Sequence, residues 1–228
     1  ITIRLILGRG WGQGPTHSQN LQAWFNHIPG LKVVMPSFAD DAKGLLISSI
    51  LDPNPVIFLE HRWLHNTKSF RKNDGNKIKI GKARICSKGK DITIISMSYL
   101  TLEAIKAADF LRKNFQINSE VIDLRSIKPM DWNTIFKSIK KTNRVIVCDT
   151  GFSTNSVASD IIAKISTDIF HVLKSPPVKL AAEAQNVPDF LACRVTLKCN
   201  SPQQRPGPQV PLARRAHQDA PLRDRWHL

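Results

Sequence analysis

Short apolar runs rich in isoleucine and valine alternate along this chain with segments in which apolar positions recur at helical spacing. Strands are predicted over residues 1–7, 31–35, 56–60, 91–97, 119–124 and 144–149, and helices over 18–27, 40–51, 100–114, 132–141 and 156–166. An apolar run flanked by amphipathic segments is the signature of parallel βα units, so the predicted class is α/β with mostly parallel sheets. Local signals agree with these boundaries. Ser37 stands before Asp40 and Asp41 at one helix entrance, and Asp131 supplies a capping carboxylate just ahead of Trp132. Pro29-Gly30 and Asp52-Pro53-Asn54-Pro55 stop two helices, because proline cannot continue the hydrogen-bond ladder.

The pattern divides the chain. Residues 1–70 read as an incomplete first domain, 71–90 as a polar, lysine- and glycine-bearing linker, and 91–180 as a complete second domain. After Leu180 isoleucine vanishes, lysine survives only at Lys198, and proline, glutamine and arginine take over. Residues 181–228 are therefore expected to form an irregular or disordered tail, and an unnatural junction near Leu180 accounts for the change better than a functional extension. The chain opens at Ile1 inside an apolar β-branched run, without an initiator methionine, and is expected to be truncated.

Composition narrows the choices further. With 228 residues, 42% of them hydrophobic, the chain can bury a substantial core. No apolar run approaches the roughly 20 residues of a membrane span. The four cysteines, Cys86, Cys148, Cys193 and Cys199, are too few and too irregular for a disulfide framework, and a reducing cytosol is expected. The spacing of Cys193 and Cys199 does not suit zinc. A formal net charge of +15 raises nucleic-acid binding as a question, but the lysines are dispersed and no nucleic-acid motif accompanies them.

The segment Gly8-Arg9-Gly10-Trp11-Gly12-Gln13-Gly14-Pro15-Thr16-His17-Ser18-Gln19 is the most informative stretch. Alternating glycines between a strand and a helix permit positive φ and close backbone approach. Their spacing is neither the dinucleotide fingerprint nor a phosphate-binding loop with its lysine. What remains is His17 at a helix entrance, near strand ends that form the ligand crevice of open α/β sheets. Position alone supports a helix-capping and a catalytic histidine equally. His61 and His65 could share one helical face as a metal pair, but no third ligand is evident, and a loop near a subunit interface is the better reading. Trp11, Trp24, Phe25 and Trp63 are expected to be core or interface aromatics.

The run Gly-Gln-Gly-Pro-Thr-His-Ser-Gln-Asn-Leu-Gln-Ala-Trp-Phe at 12–25 continues through His27-Ile28-Pro29-Gly30-Leu31-Lys32-Val33-Val34-Met35-Pro36. It goes on through Asp41-Ala42-Lys43-Gly44-Leu45-Leu46 and Asp52-Pro53-Asn54-Pro55-Val56-Ile57-Phe58. Together these resemble the beta subunits of pyruvate and branched-chain 2-oxo acid dehydrogenases. Ser119-Glu120-Val121-Ile122-Asp123-Leu124-Arg125-Ser126-Ile127-Lys128-Pro129-Met130-Asp131 is similar to the transketolase C-terminal domain of the same subunits.

The resemblance implies a partial pyrimidine-binding domain, followed by a transketolase C-terminal domain with a mostly parallel sheet. It implies thiamine diphosphate shared with an alpha subunit that holds magnesium, a second beta subunit in a heterotetramer, and acyl transfer to a lipoyl domain. The expected substrate is a 2-oxo acid, pyruvate first, and the fragment alone is expected to be inactive. The expected location is the cytoplasm, or the mitochondrial matrix in a eukaryote. His17 falls at the position of the family's active-site histidine, and imidazole suits proton transfer near neutrality. The pyrimidine-side glutamate is expected upstream of Ile1, so no cofactor-binding residue is assigned. Ile1, Ser49, Ile50, Asp52 and Asn54 match a potassium site of some members, built mostly from backbone carbonyls. An acetoin dehydrogenase subunit, a split transketolase subunit and a non-catalytic assembly module are the alternative functions.

Overall fold

The computed structural model describes residues 1–8, 17–68 and 77–182. The glycine-rich residues 9–16, with Trp11, and those from 183 onward, with Cys193 and Cys199, lie outside the described residues.

The strand order follows from β-branched runs that find parallel partners. β1 (Thr2–Leu7), β2 (Lys32–Val34) and β3 (Val56–His61) are parallel, with β3 central. Helix α1 (Gln22–His27) leads into β2, and α2 (Ala39–Ile50) crosses over from β2 to β3. The second sheet contains β4 (Arg84–Ser87), β5 (Ile92–Ser96), β6 (Ser119–Asp123), β8 (Val145–Phe152) and β9 (Val178–Ala182), in the order β4-β6-β5-β8-β9. All its pairings are parallel except β4 with β6. Helices α3 (Tyr99–Phe115), α4 (Trp132–Thr142) and α5 (Val157–Asp168) connect its parallel strands. One short strand, β7 (Ser126–Lys128), leaves the second sheet and pairs antiparallel with β2 of the first.

Alternation along each strand sorts the apolar side chains into layers. Leu7, Val33, Ile57 and Leu59 of the first sheet share one core with Ile95, Ile122 and Val147 of the second and with Ile135, Ile139, Ile161 and Ile165 of α4 and α5. On the opposite faces, Val34, Val56 and Phe58 pack on Leu45 of α2, and Ile94 and Val121 pack on Ala104 and Ala108 of α3. The predicted α/β class is thus the observed one.

Several local expectations differ. The helix expected over 18–27 is regular only from Gln22, because the Gln19 carbonyl accepts from Gly8 N–H (3.1 Å) and Asn20 is drawn to Thr150, so tertiary bonds displace the helical ladder there. Ser37 does not cap α2. Phe38 is its N-cap, and the Ser37 hydroxyl donates instead to Thr101 Oγ1 at 3.0 Å. The stretch read as a linker contains β4. Asp131 caps α4 as expected, its carboxylate accepting from Thr134 N.

The seam between the sheets is polar and buried. The Asp41 carboxylate receives Arg84 Nη1 at 2.9 Å and Arg125 Nη1 at 3.0 Å, and Arg125 also donates to the carbonyls of Lys82 and Ala83. Breaking such a buried pair from one side costs about 3–5 kcal/mol, since the partner charge is left uncompensated. Lys128 reaches from β7 to the Asn26 and Ile28 carbonyls, where α1 ends and its carbonyls lack helical partners. Fully buried Asp123 accepts from Thr101 Oγ1 and Arg125 N through one oxygen, while its other oxygen has no partner among the described residues.

Burial pushes the Asp123 carboxyl up to about 7, against the Arg125 amide hydrogen bond that pulls it down. Asp123 favours the folded state most below the usual carboxylate range, and this contribution is lost as pH rises through about 7. Asp123→Asn is therefore expected to leave thermal stability near pH 4 unchanged and to raise it above pH 7, by on the order of 2–4 kcal/mol. Melting curves from pH 4 to 8 check this, and an identical pH slope in both proteins would refute it.

Candidate functional site

The crevice of interest lies where β1 and β3 end together, Leu7 pairing with His61. Gly8 takes φ +146°, and a Cβ there would meet His61 Cε1 at 3.3 Å and Arg62 N at 3.5 Å, so glycine is required by backbone and by space. The bond from Gly8 N to Gln19 O closes the base of the loop. His17 stands two residues before that closure, with its side chain exposed.

The residues following His17 are buried. Ser18, Asn20 and Gln22 are at most 6% exposed, and Ser18 Oγ, Asn20 Oδ1 and Gln22 Oε1 have no hydrogen-bond partner among the described residues. Asn20 Nδ2 donates to the Thr150 carbonyl at 2.9 Å. Gln22 Nε2 donates to Asp149 Oδ1 at 2.6 Å and to Thr150 Oγ1 at 3.2 Å. Asn20, Gln22, Asp149 and Thr150 were given no site role in the sequence reading. Single polar residues at the end of a strand and in a loop carry no spacing signal, and their partners lie 127 to 130 positions away.

His61 is 3% exposed, stacks on Tyr99 with ring centroids 5.3 Å apart, and accepts from Trp63 N–H through Nδ1. Burial, with a smaller contribution from nearby His65, pushes its imidazole down to about 4. His61 is therefore a neutral structural ring. Among the described residues no three histidine, cysteine or carboxylate side chains cluster to hold a metal ion, so the geometry offers no third ligand to His61 and His65. A pocket of about 330 Å³ beside them is lined by Arg4, Phe38, Glu60, His61 and His65. Arg4 and Glu60 pair across its wall at 2.8 Å. Of the aromatics expected in core or interface, Phe25 packs against the main core, whereas Trp24 is 69% exposed.

The candidate potassium residues lie at the other end of the sheet, around the N-terminal ends of β1 and β3. The Ile1 carbonyl accepts from Val56 N, and the Ser49 carbonyl from Asp52 N. Asp52 Oδ1 accepts from the Asn54 backbone and side-chain amides, while Oδ2 receives Lys32 Nζ at 2.6 Å. The Lys32 hydrogen bond is the main reason the Asp52 carboxyl is held below its usual range. Ile50 contributes an exposed side chain at the end of α2.

With this geometry in place, similarity to known proteins becomes interpretable. The family profile "Transketolase, pyrimidine binding domain" matches residues 2–67, and "Transketolase, C-terminal domain" matches 81–190. The chain belongs to the transketolase family and carries these two domains in that order. It is 45% identical over 174 residues to the pyruvate dehydrogenase E1 component subunit beta of Rhizobium meliloti, covering 75% of this chain and 37% of that one. It is 38% identical over 175 residues to the acetoin:2,6-dichlorophenolindophenol oxidoreductase subunit beta of Cupriavidus necator, covering 77% and 52%. A solved split-gene transketolase, an inactive beta4 tetramer, shares the fold with a TM-score of 0.68 at 20% identity, covering 82% and 57%. The chain spans about half the length of the curated relatives it matches. No helix among the described residues is long and apolar enough to cross a membrane.

The buried neutral His61 yields a prediction. Its lowered titration favours the folded state above its ordinary range near 6.5, and this contribution is lost as pH falls toward about 4. His61→Asn keeps an acceptor for Trp63 N–H and removes the proton. Acid unfolding monitored from pH 7 to 4 is expected to flatten, by up to about 3 kcal/mol. A wild-type slope in the variant would show that another group controls acid stability.

Proposed function

We propose that this chain acts as the beta-type subunit of a thiamine-diphosphate-dependent 2-oxo acid dehydrogenase. Pyruvate is the first-choice substrate, and an alpha subunit completes the active site. The observation that carries the proposal is the placement of His17: exposed, two residues before Gln19, whose carbonyl accepts from the Gly8 N–H at the C-terminal end of β1. Ligands of open α/β sheets bind at such strand ends. An exposed imidazole can meet a substrate or cofactor presented by a neighbouring chain.

Thiamine diphosphate, when bound, supplies the carbon nucleophile for decarboxylation. The described residues suit the reacting end of such a ligand, since Ser18 Oγ and Asn20 Oδ1 are orphaned polar atoms beside His17. Magnesium and the diphosphate are assigned to the alpha subunit. His17 orients the 2-oxo acid carboxylate or the incoming lipoyl group, and moves a proton to or from the reacting oxygen or sulfur. The neutral His61 ring packs beneath Gly8 and keeps the end of β1 in place. A second beta subunit and a lipoyl domain of an acyltransferase component complete the proposed set of partners. The proposed location is the cytoplasm, or the mitochondrial matrix in a eukaryote.

Similarity to the acetoin oxidoreductase subunit supports a second reading, acetoin cleavage by the same crevice. Assays of the reconstituted complex with pyruvate, branched 2-oxo acids and acetoin separate the two. In the complex that turns over pyruvate, His17→Ala is expected to lower kcat at least a hundredfold while subunit assembly is retained. Unchanged turnover would remove His17 from the chemistry.

The turn at Ser49, Ile50, Asp52 and Asn54, with the Ile1 carbonyl, is proposed to hold potassium. Helix-terminal carbonyls carry the partial negative charge such a cation requires. Replacing sodium by potassium at constant ionic strength is expected to raise the melting temperature by a few degrees, as binding to the folded state alone demands. Equal melting in both salts would count against the site.

A further inference from the structure

The Asp149–Gly151 segment is shaped to hold another part of the chain. β8 and β9 are in parallel register from Ile146 to Cys148, then shift before Phe152, so residues 149–151 form an irregularity in the strand. Such irregularities re-aim side chains out of the ladder. Here Asp149, 2% exposed, points at three donors: Gln22 Nε2 at 2.6 Å and Gly151 N at 2.8 Å on one oxygen, and Ala158 N at 3.0 Å on the other. Ala158 lies in the first turn of α5, where unpaired amides favour a carboxylate. The carboxylate is thus fixed by its own domain on two sides and offers its remaining capacity to Gln22.

Space is equally specific. A Cβ on Gly151 would come within 2.9 Å of Gln22 Nε2 and 3.2 Å of Asp149 Oδ1, so the glycine leaves just enough room for the glutamine amide to reach its acceptor. Thr150 adds two contacts, its carbonyl to Asn20 and its hydroxyl to Gln22. Two side chains three and five residues after His17 are therefore anchored to a strand end of the other domain, while the side chain of His17 itself remains exposed.

We propose that Asn20 and Gln22 are positioning residues, through which Asp149 and Thr150 of the C-terminal domain set the place of the His17 imidazole. This rests on His17 as the functional histidine, and it assigns the C-terminal domain a role in the chemistry of the neighbouring domain. A charged acceptor with a short bond, buried from water, makes Gln22–Asp149 the stronger of the two anchors. Loss of that anchor displaces the imidazole without removing any group that touches substrate.

The test uses the full-length protein assembled with its alpha partner. Gln22→Met keeps side-chain length and deletes the donor. It is expected to lower kcat for 2-oxo acid turnover about tenfold to a hundredfold, with KM changed less than twofold. It is also expected to change the rate at which diethyl pyrocarbonate modifies His17 at least threefold, with His27 and His171 as internal references. If Gln22→Met does not fold, Thr150→Val, which deletes only one acceptor, is expected to move both readouts in the same direction to a smaller extent. Unchanged His17 modification in the folded variants would overturn the positioning role even if His17→Ala abolishes turnover. Altered modification together with an active His17→Ala protein would support the anchor and sink the catalytic reading instead.

Discussion

Everything in this molecule depends on how the two sheets are held to each other, and the decisive contact is one buried carboxylate shared by two guanidinium groups. Asp41, near the start of α2, receives Arg84 from β4 and Arg125 from the turn between β6 and β7. Arg125 takes φ +54°, a left-handed conformation that is costly for a side-chain-bearing residue, and its carbonyl accepts from Met35 N at 2.7 Å. The strain is held because the same residue closes the backbone edge beyond β2 and neutralises Asp41. β7 then covers the edge of β2, so the two domains share hydrogen bonds as well as an apolar core.

That seam determines what the strand ends can do. With the sheets fixed, Asn20 and Gln22 lie against the C-terminal end of β8, and their side-chain amides find acceptors in the other domain. The two histidines near this crevice acquire opposite characters from their surroundings. His61 is stacked, hydrogen-bonded and too desolvated to carry charge near neutrality, so it serves as packing. His17 is exposed, with its side chain open to solvent. Equivalent side chains thus acquire different surroundings from the fold alone.

Much of the architecture was legible in the order of residues. The six predicted strands and the four longer helices recur close to their expected limits, because isoleucine- and valine-rich runs pack from both faces and helical spacing persists over several turns. Asp131 as a cap, and proline as a stop after α1 and α2, needed no tertiary information. The strands that were missed, β4, β7 and β9, are three to five residues long and partly charged, and a strand that short is defined by the edge it meets. Ser37 is not the cap for a related reason: Phe38 takes the N-cap position, and the Ser37 hydroxyl is engaged by Thr101 of the second domain.

By itself, then, the order of residues determined the α/β class, the βα units, the glycine-rich turn and the histidine beside it, since each depends on periodicity or on conformational limits expressed within a few positions. Only the tertiary structure decided that His61 is buried while His17 is open, that Asp41 joins two arginines, and that Asn20 and Gln22 are gripped by Thr150 and Asp149. Those outcomes require hydrogen-bond partners and desolvating neighbours from segments far apart along the chain. Local pattern carries no record of which distant groups the fold will bring within reach.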